Sequence, residues 1–164
     1  MITIMNCYSP TGAVDEYGLD VFHYQLEGLI RNDKKYHKFL FEAFNARTGK
    51  ANDSEYKIGN FGLGEGTENG NRLAGLLSAA RLFHRNLFFQ RKESHLWTWE
   101  SPNDMTQAEI DHILTNRRWC LLDTLVVSSF CTGSDHCLLC AKIRFSLKLE
   151  RNSLHRPRGK SQAV

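Results

Sequence analysis

The stretch Gly133-Ser134-Asp135-His136-Cys137-Leu138-Leu139-Cys140-Ala141-Lys142-Ile143-Arg144-Phe145 sets an acid and an imidazole just before a run that changes from continuously apolar to alternating. Such a run reads as a strand, and Asp135-His136 then sits at its start. A lone Asp-His pair is most often a turn with a capping carboxylate. Here the wider context alters that reading. In Ile110-Asp111-His112-Ile113-Leu114 an acid interrupts a second apolar strand, and a carboxylate in that position calls for a partner or a metal. An imidazole poised by a buried carboxylate stabilises charge or moves protons, and a further carboxylate beside it can hold Mg²⁺.

Working outward, residues 2–8 alternate as a strand and Ser9-Pro10-Thr11-Gly12 ends it with turn chemistry. From Tyr17 to about Arg31, Val21, Phe22, Leu26, Leu29 and Ile30 recur at helical spacing, with Glu27 and Arg31 four apart on the exposed side. Lys38 to Phe44 reads as a short buried strand that Asn45-Ala46-Arg47-Thr48-Gly49 turns away from, and residues 49–70 read as a long surface loop. A second helix is expected from Asn71 to Leu82 on the stripe Leu73, Leu76, Leu77 and Ala80. Aromatic and β-branched density then predicts strands at Leu87–Phe89, His95–Trp99, Ile110–Leu114, Trp119–Val127 and Cys137–Leu147. Residues 151–164 are too polar and basic to bury anything and read as a disordered tail.

At 164 residues, 41% hydrophobic and 24% charged, the chain suits one α/β or α+β domain with a substantial core. A net charge of +3, from 21 basic and 18 acidic side chains, allows a nucleic-acid partner without demanding one. No apolar run approaches the roughly 20 residues of a membrane helix, and the N-terminus has no signal-peptide pattern. These features predict a soluble intracellular protein, nuclear or cytoplasmic. The five cysteines, Cys7, Cys120, Cys131, Cys137 and Cys140, are odd in number and mostly lie in apolar runs, as reduced core thiols do.

Five blocks, in order, resemble the endonuclease/exonuclease/phosphatase (DNase I-like) superfamily, and within it the endonucleases of LINE-type retrotransposons and their craniofacial-development-protein relatives. Tyr8-Ser9-Pro10 is similar to the family's Tyr-x-Pro, and Glu42-Ala43-Phe44-Asn45 to its Gly-Asp-Phe-Asn. Thr98–Pro102, Ile110–Leu114 and Gly133–His136 resemble Thr-Trp-x-Ser-Pro, Ile-Asp-Tyr-Ile-Leu and Gly-Ser-Asp-His. The resemblance covers residues 2–150. It implies the C-terminal half of a two-sheet α/β sandwich, with mostly antiparallel strands and two main helices, and hydrolysis of DNA phosphodiester bonds with Mg²⁺ or Mn²⁺. Carried over, His136 would contact the scissile phosphate, Asp111 would orient His136, and Asp135 would serve the metal. Asn45 would hold the attacking water or developing charge, and Tyr8 would touch the phosphate.

Two departures bear on activity. Ala43 stands where the family has the aspartate that prepares the water, and losing general-base help typically costs about 10²–10⁴-fold in rate. Glu42 is a poor substitute, because strand neighbours point to opposite faces. Residues 1–7 cannot contain the Asn and Glu that complete the family's metal site, so the expectation is a truncated, inactive or nearly inactive remnant. A sandwich half would expose its inner apolar face and invite association. The alternatives are a non-catalytic module that binds nucleic acid or protein, and a split nuclease completed in trans.

Other features have plainer readings. Cys137 and Cys140 have the spacing of half a zinc site, but core thiols are the commoner outcome. Gly59 to Gly64 reads as a flexible loop rather than a nucleotide cradle. Trp97 and Trp99, two apart, read as core packing, Arg117-Arg118 as a solvated turn, and His112 as a structural residue facing away from Asp111.

Overall fold

A computed structural model describes residues 1–10, 14–49, 64–84, 86–92, 95–103, 105–127 and 133–145, with the backbone alone at Glu42 and Leu87. The fold is α+β. Its main sheet has four strands in the order β1-β2-β6-β3: β1 Ile2–Tyr8, β2 His37–Ala43, β6 Asp111–Thr115 and the short β3 Phe83–His84. β1 and β2 run parallel, joined by helix α1 (Glu16–Asn32), while β2/β6 and β3/β6 are antiparallel. Two further pairs complete the described strands: β4 Trp99–Glu100 with β5 Gln107–Ala108, and β7 Leu121–Val127 with β8 Leu138–Ile143.

Both helices start where side chains cap them. The Asp15 carboxylate accepts the Gly18 amide at 2.8 Å, and Glu27 pairs with Arg31 at 2.9 Å as expected. In α2 (Glu68–Ala79) the Thr67 hydroxyl accepts the Gly70 amide at 3.2 Å. This cap starts the helix three residues before the expected Asn71, because a good cap and Glu68 in the first turn outweigh the poor helix formers Asn69 and Gly70. α2 closes with Arg81 in the left-handed region (φ 55°), the Leu82 amide bonding back to Leu77 O at 2.9 Å.

The helices cover one face of the sheet. Leu26 and Ile30 of α1, Leu73, Leu76 and Leu77 of α2, Leu40 of β2, Leu114 of β6, and Phe44 form the core. The buried face of α1 is Leu19, His23, Leu26 and Ile30, so the expected stripe is rotated and Leu29 is exposed. His23 causes the rotation: polar by composition, it packs against Phe44 with near-parallel rings 6.0 Å apart.

The other face is covered unevenly. Phe145 packs edge-on against Phe39 and His37, and Cys120 is buried beside His37, over the centre of the sheet. At the edge strand β1, Ile2, Ile4 and Tyr8 remain exposed, and the expectation of an apolar sheet face open to association falls on this row.

Two expected strands are absent. Asn86–Phe88 is a single 3₁₀ turn, and in the 95–99 stretch only Trp99 is in a strand. Aromatic density there marks half-buried packing rather than a ladder, a known ambiguity of short apolar runs. The two-residue strands β3 and β5 carry no periodicity to detect. Residues 50–63 of the expected loop, Gly59–Leu63, Cys131 and the tail 151–164 lie outside the described residues. No described helix is long and apolar enough to cross a membrane.

Candidate functional site

One rung of the sheet opens onto a groove of about 640 Å³. Tyr8 at the end of β1 pairs with Ala43 at the end of β2, and Ala43 pairs with Asp111 at the start of β6. Partners across a sheet project to the same face. The three side chains therefore line the groove together with His136.

His136 reaches the rung through β4. Its backbone bridges Trp99, and the Glu100 amide donates to Asp135 O at 2.9 Å. Thr98, fully buried, fixes both halves of the site: its hydroxyl accepts the amides of Ile110 and Asp111 at 3.0 Å each, and its carbonyl accepts the Cys137 amide at 2.7 Å. Thr98→Val keeps the shape but strands two backbone donors. It is expected to cost about 2–3 kcal/mol in urea unfolding, since an unsatisfied buried polar group costs about 1–3 kcal/mol. An unchanged midpoint would show that Thr98 does not hold the site.

The His136 Nδ1 to Asp111 Oδ2 distance is 2.9 Å, with side chains 30% and 18% exposed. A carboxylate only accepts, so Nδ1 carries the proton and Nε2 is left for a ligand, with no partner among the described residues. Neutral, this imidazole takes a proton at Nε2; charged, it donates to an anionic oxygen. Cys137, next in sequence, is a poor nucleophile, because burial pushes its thiol up and the Glu100 and Asp111 charges add to the effect.

The other two expected site residues lie beside the groove rather than in it. Asn45, in the left-handed region (φ 48°), donates from its side-chain amide to Ser9 O at 3.0 Å, pinning the exit of β2 to the exit of β1. The Asp135 carboxylate accepts the Trp99 indole N–H at 2.7 Å. Trp99, expected in the core, instead orients this loop. Its position two residues from Trp97 suggested a shared buried face, but the strand begins only at Trp99 and Trp97 precedes it.

The described residues do not fit a Mg²⁺ ion. Asp111 is the one carboxylate among those lining the groove, and it is committed to His136. Asp135 has one oxygen engaged by Trp99. Magnesium is usually held by one or two carboxylates with waters and substrate phosphate, and among the described residues no carboxylate is presented to the groove uncommitted.

The fold and site define an α+β protein with a carboxylate-oriented imidazole at a groove. No protein-family model matches the chain. It is 30% identical over 165 aligned positions to craniofacial development protein 2 of Tragulus javanicus, covering 99% of this chain and 29% of that protein. It is 32% identical over 151 positions to craniofacial development protein 2 of Bos taurus, covering 90% of this chain and 25% of that protein. The chain thus spans between a quarter and three tenths of the length of these relatives.

Proposed function

We propose that this chain is a retrotransposon-type endonuclease domain whose ancestral reaction was Mg²⁺- or Mn²⁺-dependent hydrolysis of DNA phosphodiester bonds, and that it is catalytically defective. One observation carries the reading: Ala43 stands on the rung between Tyr8 and Asp111, facing the groove beside His136. A phosphodiester in the groove would meet the Tyr8 hydroxyl on one side and His136 Nε2 on the other, with Asp111 holding the imidazole. The alanine methyl between them neither accepts a proton nor aligns a water. The partner in this reading is DNA, held but not cut.

The test is nicking of supercoiled plasmid in Mg²⁺. The parent chain is expected to leave the plasmid intact; nicking that appears in Ala43→Asp and is abolished by His136→Ala would place the defect at position 43. Nicking by the parent that disappears in His136→Ala would show a competent enzyme and overturn the defect. Silence from both parent and Ala43→Asp would move the defect from position 43 to metal binding.

A further inference from the structure

On the opposite face of β6 from Asp111, three ligand-type side chains meet in the interior. His84 comes from β3, His112 from β6, and Glu109 from the segment leading into β6; they are 0%, 1% and 5% exposed. One donor atom from each lies within 4.8 Å of the other two. We propose that His84, Glu109 and His112 form a binding site for a divalent transition-metal ion of the zinc type, across β6 from the groove that His112 also borders and independent of the function proposed there.

The protonation states follow from the contacts. His112 Nε2 lies 2.7 Å from Ala46 O, which can only accept, so Nε2 bears the hydrogen. The remaining nitrogen, Nδ1, then offers a lone pair to His84 Nε2 at 2.6 Å. That makes His84 Nε2 the donor and leaves a lone pair on His84 Nδ1, which is buried and has no hydrogen-bond partner. Burial keeps both rings neutral, as metal binding requires. Binding replaces the proton shared by the two rings with the ion. The displaced proton passes to His84 Nδ1, so the imidazoles stay neutral.

The donor set selects the metal. Two imidazoles and one carboxylate suit zinc and its neighbours, whereas Mg²⁺ and Ca²⁺ prefer oxygen alone. Bonds of about 2.0–2.2 Å to a tetrahedral ion place ligand atoms roughly 3.3 Å apart. The 2.6 Å contact and the 4.8 Å limit bracket that spacing, so shifts of about an ångström suffice. A ligating histidine usually donates its second N–H to a carbonyl or carboxylate, and the His112 bond to Ala46 O is of this kind. The Glu109 carboxylate supplies negative charge that offsets part of the charge of the ion.

The experiment loads the chelator-stripped chain with Co²⁺ and reads its visible spectrum. One ion per chain is expected, with d–d bands of low coordination number, no thiolate charge-transfer band, and displacement by Zn²⁺. Glu109→Gln, nearly isosteric, is expected to lose the bands while keeping the parent's circular dichroism, as is His112→Tyr. The Cys137→Ser/Cys140→Ser double variant and His136→Ala should retain them. A folded parent that binds no Co²⁺ would overturn the site. So would a thiolate band that vanishes with the cysteines, or bands lost in His136→Ala, either of which would place the ion elsewhere.

Discussion

Gly70→Ala is expected to destabilise the protein by at least about 3 kcal/mol, the upper part of what overpacking costs. A β-carbon at Gly70 would lie 2.0 Å from Arg47 O, 2.7 Å from Arg47 C and 3.2 Å from Thr48 Cα. All three are backbone atoms, so no rotamer relieves the clash. The backbone cannot easily withdraw either. The Thr67 amide donates to Arg47 O at 2.9 Å, the Arg47 amide donates to the Thr67 hydroxyl at 3.2 Å, and Asn69 Nδ2 donates to Asn45 O at 3.3 Å. These bonds seat the start of α2 on the segment leaving β2, and α2 contributes Leu73, Leu76 and Leu77 to the core. Gly75→Ala is the control: a β-carbon there meets nothing within 4 Å, and replacing a helical glycine gains up to about 1 kcal/mol. Urea unfolding should move the two midpoints in opposite directions. Equal midpoints would mean that α2 does not sit against Arg47.

The second large effect is acid lability. His84, His112 and His23 are all held below the ordinary imidazole range, in each case chiefly by burial. The proximity of His112 lowers His84 further and the nearby Arg72 lowers His23 further, whereas at His112 the hydrogen bond to the Ala46 carbonyl and the Asp111 charge oppose the effect of burial. A base with a lowered folded pKa is neutral in both states above its unfolded value, so it has no effect at neutral pH. As pH falls below about 6.5 the unfolded chain takes up a proton that the folded chain refuses, and stability declines until the folded pKa is reached. His112, lowered from 6.5 to about 4, accounts alone for roughly 3 kcal/mol across that window, at about 1.4 kcal/mol per pH unit. In chelator-containing buffer, urea midpoints should therefore fall steeply from pH 6.5 toward 4, with more than one proton taken up on unfolding. A flat profile would show that these rings are solvated.

How much of this was legible beforehand depended on the range of the interaction. Residues 2–8 alternate, and β1 spans Ile2–Tyr8; Leu73, Leu76 and Leu77 repeat helically, and α2 buries them. An acid inside an apolar run marks Asp111 as needing a partner, the resemblance pairs it with His136, and the two lie 2.9 Å apart. For Asn45 and Asp135 the resemblance alone implies a role. Their side chains instead bond to Ser9 O and to the Trp99 indole, neighbours that no local pattern names. Thr98 opens one of the five blocks, but the sequence assigns it no role, because its importance lies in three hydrogen bonds to residues 12, 13 and 39 positions away.

The sequence by itself determined the α+β class, both helices, the principal strands and an acid, Asp111, in need of a partner, because periodicity and an unpartnered polar group in an apolar run are local signals. Only the tertiary structure decided that Tyr8, Ala43 and Asp111 share a rung, and that His84 and Glu109 reach His112 on the far side of β6. The physical reason is register. A strand tells from its own residues which side chains alternate, but which residue of another strand lies opposite depends on the whole sheet, its turns and the core that covers it.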